Sequence, residues 1–97
     1  MRAVLLGDLL ALVRVLKSVP AGERLTLCRC IIRTAELADR YCCRLGHAHP
    51  DWGNGTLSGA LPSGPVAPMG PVDEPETAAC LTMVLEQLAL RPRLLHM

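Results

Sequence analysis

Apolar residues recur at helical spacing in three stretches of the chain and lose all period in the interval between the second and third. Leu9, Leu12, Val13 and Leu16 fall on one face, with Arg14 and Lys17 elsewhere on the wheel. With Asp8 as N-cap they predict a first helix over about 8–18, ended by the turn residues Pro20 and Gly22. A second and longest helix is predicted over about 22–45, with Glu23 in its first turn, Arg44 in its last and Gly46 just beyond its end. A third, over about 74–90, opens on Asp73, Glu74, Pro75 and Glu76 as an Asp variant of the capping box. Its apolar stripe is Leu81, Val84, Leu85 and Leu88, and Pro92 stops it by disfavouring α conformation at Arg91.

On the second helix, Thr26, Arg29, Arg33, Glu36, Arg40 and Arg44 share an arc of about 80°, and most of the remaining circumference is apolar. An apolar arc that wide implies burial on both flanks. It makes this helix the spine, sandwiched between the other two or covered by a second subunit. Glu36 and Arg40 stand at i,i+4 in the favourable order, ordinary surface chemistry.

Residues 46–72 hold six Gly and five Pro in 27 positions. A structureless loop longer than about 12–15 residues is unusual in a compact domain and is either functional or disordered. Its first part, His47 to Leu61, carries two His, Trp52, an Asn54-Gly55 turn and Thr56 placed to cap a short helical turn. This part is expected to be ordered. The second part, Pro62 to Val72, reads as an extended Pro-rich connector.

Composition sharpens the class. The 97 residues make a single domain. With one Trp, one Tyr and no Phe against 18 Leu and 11 Ala, the core must be aliphatic and helix-forming, so the expected fold is an all-α, three-helix domain. A net charge of +1 excludes a nucleic-acid protein driven by bulk charge. Nine of the ten basic residues are Arg and only Lys17 is Lys, which genome composition explains as readily as anion binding. Asp8 and Arg14 interrupt the apolar start, so neither a signal peptide nor a membrane span is expected, and the chain reads as cytoplasmic. Five cysteines, four of them in one predicted helix, read as reduced thiols.

The sharpest constellation is Asp39, His47, His49, Asp51 and Trp52. Asp39 lies at the edge of an apolar flank and needs a partner. The loop beginning at Gly46 returns near it, so His47, His49 or the Trp52 indole N–H is expected to donate to Asp39 and pin the loop to the helix. Asn54 and Thr56 belong to the same loop-organising set. A metal reading would use Cys42, Cys43, His47 and His49. Against it, Cys42 and Cys43 project about 100° apart and no second ligand pair follows. Cys43 beside Arg40, Arg44 and His47 is the one candidate reactive thiol, with no further catalytic pattern to support it. The stripe of Arg29, Arg33, Arg40 and Arg44 could face phosphates, but Glu36 sits within it, and a solvated face is the simpler reading. No cofactor is implied.

The stretch His49-Pro50-Asp51-Trp52-Gly53-Asn54-Gly55-Thr56-Leu57, with Ala38-Asp39-Arg40 and Gly46-His47-Ala48 before it, resembles the signature of small uncharacterised helical proteins of alphaproteobacteria. The resemblance spans nearly the whole chain and includes Ala79-Cys80-Leu81 and Val84-Leu85-Glu86 in the closing helix. It implies no activity. Cys42 and Cys43 stand where such proteins more often carry basic residues, which weakens the metal and thiol readings. The functional expectation is a non-catalytic cytosolic module that binds a protein partner or a second copy of itself. The alternatives are a small metal-binding or catalytic protein centred on Asp39, His47 and His49, and nucleic-acid binding through the arginine stripe.

Overall fold

A computed structural model describes residues 1–91. Its elements are α1 (Leu6–Lys17), a 3-10 turn (Ala21–Glu23), α2 (Arg24–Leu45), a second 3-10 turn (Ser58–Ala60) and α3 (Pro75–Leu90). The fold is all-α, three helices with a 3-10 turn in the long loop between α2 and α3.

The helix ends follow from local chemistry, with two shifts from expectation. Asp8 is not the N-cap of α1. The helix begins earlier, and Asp8 stands in its first turn, where its carboxylate accepts the Leu5 N–H at 2.9 Å. Asp73 likewise does not cap α3. Glu74 is the N-cap, and Pro75 takes the first helical position, where its missing N–H costs nothing. α2 ends as expected, with Gly46 at φ 77° donating to Cys42 O at 2.8 Å. Arg91 leaves the helix at ψ 143°, the extended conformation forced on a residue before proline. Pro92 itself lies outside the described residues.

The core joins Leu12, Val13, Val15 and Leu16 of α1, Cys28, Ile31, Ile32 and Ala35 of α2, Cys80 and Val84 of α3, and Leu57 of the loop. Each helix packs against the other two, and α1 carries the denser buried set for its length. Four of its 12 residues are buried, they spread over a wide arc, and it packs more extensively against α3 than α2 does. α2 buries a single flank and leaves its arginine stripe outside, so its wide apolar arc is not covered on both sides. α3 is rotated from the expected stripe: Leu85 faces out at 51% exposure while Thr77 is buried. Thr77 can enter because its hydroxyl donates to Met69 O at 3.0 Å and accepts from Lys17 Nζ at 2.8 Å.

Lys17 also holds the Pro-rich connector in place. Its ammonium reaches Pro68 O at 3.0 Å, Met69 O at 2.8 Å and Glu74 Oε1 at 3.4 Å. Arg14 adds a bond from Nε to Ala67 O at 3.0 Å, so the connector runs along α1 on donors that α1 supplies. Proline cannot donate, and its neighbours' carbonyls take up these cationic donors instead.

Asp8 ties the N-terminal turn of α1 to the loop. Its second oxygen accepts both the hydroxyl and the N–H of Ser58, the latter at 3.2 Å. The Ser58 hydroxyl first, then the Leu5 N–H, hold its carboxyl below the ordinary 3.8 against an opposing effect of burial. A depressed folded-state pKa gives stability that is complete above the ordinary value and lost as pH falls through the lower one. In urea unfolding, the difference between wild type and Asp8→Asn should therefore hold constant at neutral pH and shrink below pH 3.8. A difference that did not change with pH would show that the carboxylate's charge is not what the fold uses.

Candidate functional site

The loop closes on itself before it meets the helices. His49 and Gly53 exchange backbone bonds at 2.8 and 3.1 Å, and the Asp51 and Trp52 N–H groups both donate to His49 Nδ1 at 3.0 Å. An accepting Nδ1 places the neutral ring's proton on Nε2. The Trp52 ring stacks on His49, centroids 4.2 Å apart and planes 9° from parallel. Tyr41 of α2 meets the edges of His49 at 4.6 Å and His47 at 5.6 Å. Asn54 Oδ1 accepts from the Thr56 N–H and hydroxyl, and Thr56 Oγ1 accepts the Gly59 N–H at 3.0 Å, capping the 3-10 turn.

Asp39 has different partners from those expected. Neither histidine nor the Trp52 indole hydrogen-bonds to it. Its Oδ2 lies 3.0 Å from the α-ammonium of Met1, and the Cys43 thiol approaches Oδ1 at 3.9 Å. The reason is steric: the loop crosses α2 as bare backbone at Gly55, where a Cβ would stand 2.8 Å from Asp39 Cα and Cβ. That crossing turns the histidines toward Tyr41.

The loop's anchor into the core is Leu57, fully buried, whereas Trp52 is 39% exposed. Trp52 is therefore not enclosed, and Leu57 is the side chain that ties the loop to the core. Trp52→Ala should lower stability by only about 1–2 kcal/mol, the worth of a stacked pair and a partly covered ring. A chemical-denaturation loss well above that would show the indole to be structural.

Among the described residues no three His, Cys, Asp or Glu side chains converge as a metal site. Cys42 and Cys43 stay apart from His47 and His49, whose bonding is to the loop and Tyr41. All five cysteines are free thiols. Burial pushes Cys28 up to about 11 and raises Cys80 as well, so both remain protonated core side chains. No helix of the described residues is long and apolar enough to cross a membrane.

A concavity lies between α2 and α3. It measures about 490 Å³ and is lined by Arg29, Ile32, Arg33, Glu36, Leu37 and Arg40 on one side and Gln87, Leu90 and Arg91 on the other. A second hollow of about 430 Å³ continues from it, lined by Leu37, Arg40, Tyr41, Arg44, Leu45 and Trp52. Leu37 and Arg40 line both, so the two hollows adjoin along the outer face of α2, the second reaching Trp52 of the loop, and together they are called the groove. The four arginines are exposed, as on a solvated face, and they also border a groove whose aliphatic floor is Ile32 and Leu37.

Its charge is lopsided. Glu36 spends both oxygens on cations: Oε2 on the Met1 ammonium at 2.8 Å and Oε1 on Arg91 Nε at 3.2 Å. Arg29 donates to the neutral Gln87 Oε1 at 3.0 Å. Arg33, Arg40 and Arg44 meet no carboxylate among the described residues. The α2 wheel already carried the arginines. What it missed was Leu90 and Gln87, because only the packing of α3 on α2 brings them opposite.

A family described as a domain of unknown function (DUF7742) matches residues 2–88. Neither the curated proteins nor the solved structures include a match.

Proposed function

The chain belongs to that family of unknown function, and from the geometry we infer that it is a non-catalytic protein-interaction module whose docking face is the α2/α3 groove. The observation that carries this reading is the composition of the groove: the guanidinium groups of Arg33 and Arg40, which meet no carboxylate among the described residues, beside Ile32, Leu37 and Leu90. A polar, charged rim around an apolar centre is how protein interfaces are built. Leu90 and Leu45 of that lining are exposed at 72% and 55%, and Leu85 of α3, at 51%, adds exposed apolar area outside it.

Two copies of the groove placed face to face would set arginine against arginine, which disfavours a symmetric dimer through this surface. The reading is therefore of a different protein as partner. A reducing compartment such as the cytoplasm suits a chain with five free thiols.

The test is capture from the native host with tagged wild type and with Leu37→Asp, which puts a charge at the junction of the two hollows. The expected result is a protein retained by wild type and lost with the variant, while circular dichroism of the two chains agrees. Identical sets of retained proteins would refute the reading.

A further inference from the structure

Resting on the reading of this groove as a docking face, the geometry points to the partner's chemistry: an acidic amphipathic helix, apolar along one stripe and carboxylate-bearing on its flanks. Length is the first reason. From Arg29 to Leu45 the face runs 16 residues of α2, about 24 Å, the reach of four to five turns of a partner helix. Shape is the second. The first hollow is recessed between α2 and α3 and the second adjoins it along α2 as far as Trp52, an open trough that suits a cylinder about 10 Å across.

Charge decides the flanks. The one carboxylate of the groove is saturated by the Met1 ammonium and Arg91, while Arg33, Arg40 and Arg44 meet none among the described residues. A guanidinium fork is matched by a carboxylate, and the match strengthens beside apolar side chains that displace water. A helix with glutamates on both sides of a leucine stripe would answer the arginine wall and the aliphatic floor together.

The other polyanions fit less of the surface. Single-stranded nucleic acid gains affinity by stacking bases on aromatic faces, and here the Trp52 ring already stacks on His49 while the floor is aliphatic. An anionic bilayer is too flat to enter a groove between two helices.

The experiment titrates the full chain into a fluorescein-labelled synthetic peptide of roughly 18 residues, leucines at i, i+3, i+4 and i+7 and glutamates on the flanks, followed by anisotropy. An otherwise identical lysine peptide, a single-stranded oligonucleotide and phosphatidylglycerol vesicles form the other arms. The glutamate peptide is expected to bind, to weaken as salt rises, and to lose about tenfold or more in affinity with Arg33→Gln/Arg40→Gln. Arg2→Gln/Arg14→Gln, which removes the same charge outside the groove, is expected to change affinity much less. The lysine peptide needs no variant and is expected not to bind, so the charge argument stays decidable whatever the variants' folding.

No binding of the glutamate peptide, equal binding of the lysine peptide, or tighter binding of the oligonucleotide or vesicles overturns the proposal. If the peptide fails while native-host capture remains sensitive to Leu37→Asp, only the partner's chemistry is refuted. If capture fails as well, the docking face falls with it.

Discussion

Leu57→Ala is expected to lower the unfolding free energy by about 3 kcal/mol or more, the range of a large-to-small change at a fully enclosed site. Leu57 is 0% exposed and packs within the cluster formed by all three helices, although it comes from the Gly-rich loop. The turn Ser58–Ala60 and the Thr56 and Asp8 bonds hold its backbone on both sides, which limits how far the site can collapse around a cavity. Urea unfolding at neutral pH measures the loss. A loss comparable to that of Trp52→Ala would mean that the loop is not a part of the core.

Gly55→Ala should cost about as much, by a different mechanism. The residue sits at φ 94°, where an L side chain is strained, and an added Cβ would meet Asp39 Cα and Cβ at 2.8 Å. Both obstacles are close to backbone, so neither yields by a rotamer change. The loop must lift from α2 and give up the Arg2 N–H bond to Gly55 O at 2.8 Å. We expect a loss of about 2–4 kcal/mol together with reduced near-ultraviolet dichroism from the Trp52 and Tyr41 environment. A variant as stable as wild type with an unchanged spectrum would contradict the close crossing at Asp39.

These two residues also show where the sequence was legible and where it was not. Helical periodicity and the end signals Gly46 and Pro92 located three helices to within a few residues, because those signals are local. Thr56 was legible as a cap for the same reason. The partner of Asp39 was not, since it depended on where Gly55 lets the loop cross α2. The chain's one Trp is its largest side chain, yet a fully buried Trp needs a partner for its N–H, and plain Leu57 fills the core without one.

Lys17 shows a second limit. As the only lysine it reads as composition, but its ammonium collects the carbonyls of a connector about 50 residues away, a contact no periodicity contains. The groove shows a third. The four arginines lie on one arc of α2, and their facing residues arrive only when α3 packs beside that arc. The dense burial of α1 is hidden for a related reason: its Val/Leu set is short, and only the packing of α3 on it shows how much of that set is covered.

The central claim is that the fold and the groove are separate: the loop, Leu57 and Lys17 hold the structure, and Arg33 and Arg40 of the α2 face do not. Thermal unfolding of Arg33→Gln/Arg40→Gln tests it most directly. Exposed guanidinium groups that meet no carboxylate among the described residues contribute within about 0.5 kcal/mol each, so the variant should melt within a few degrees of wild type. A fall of more than about 10 °C, the size expected for Leu57→Ala, would make the arginines structural and contradict the account.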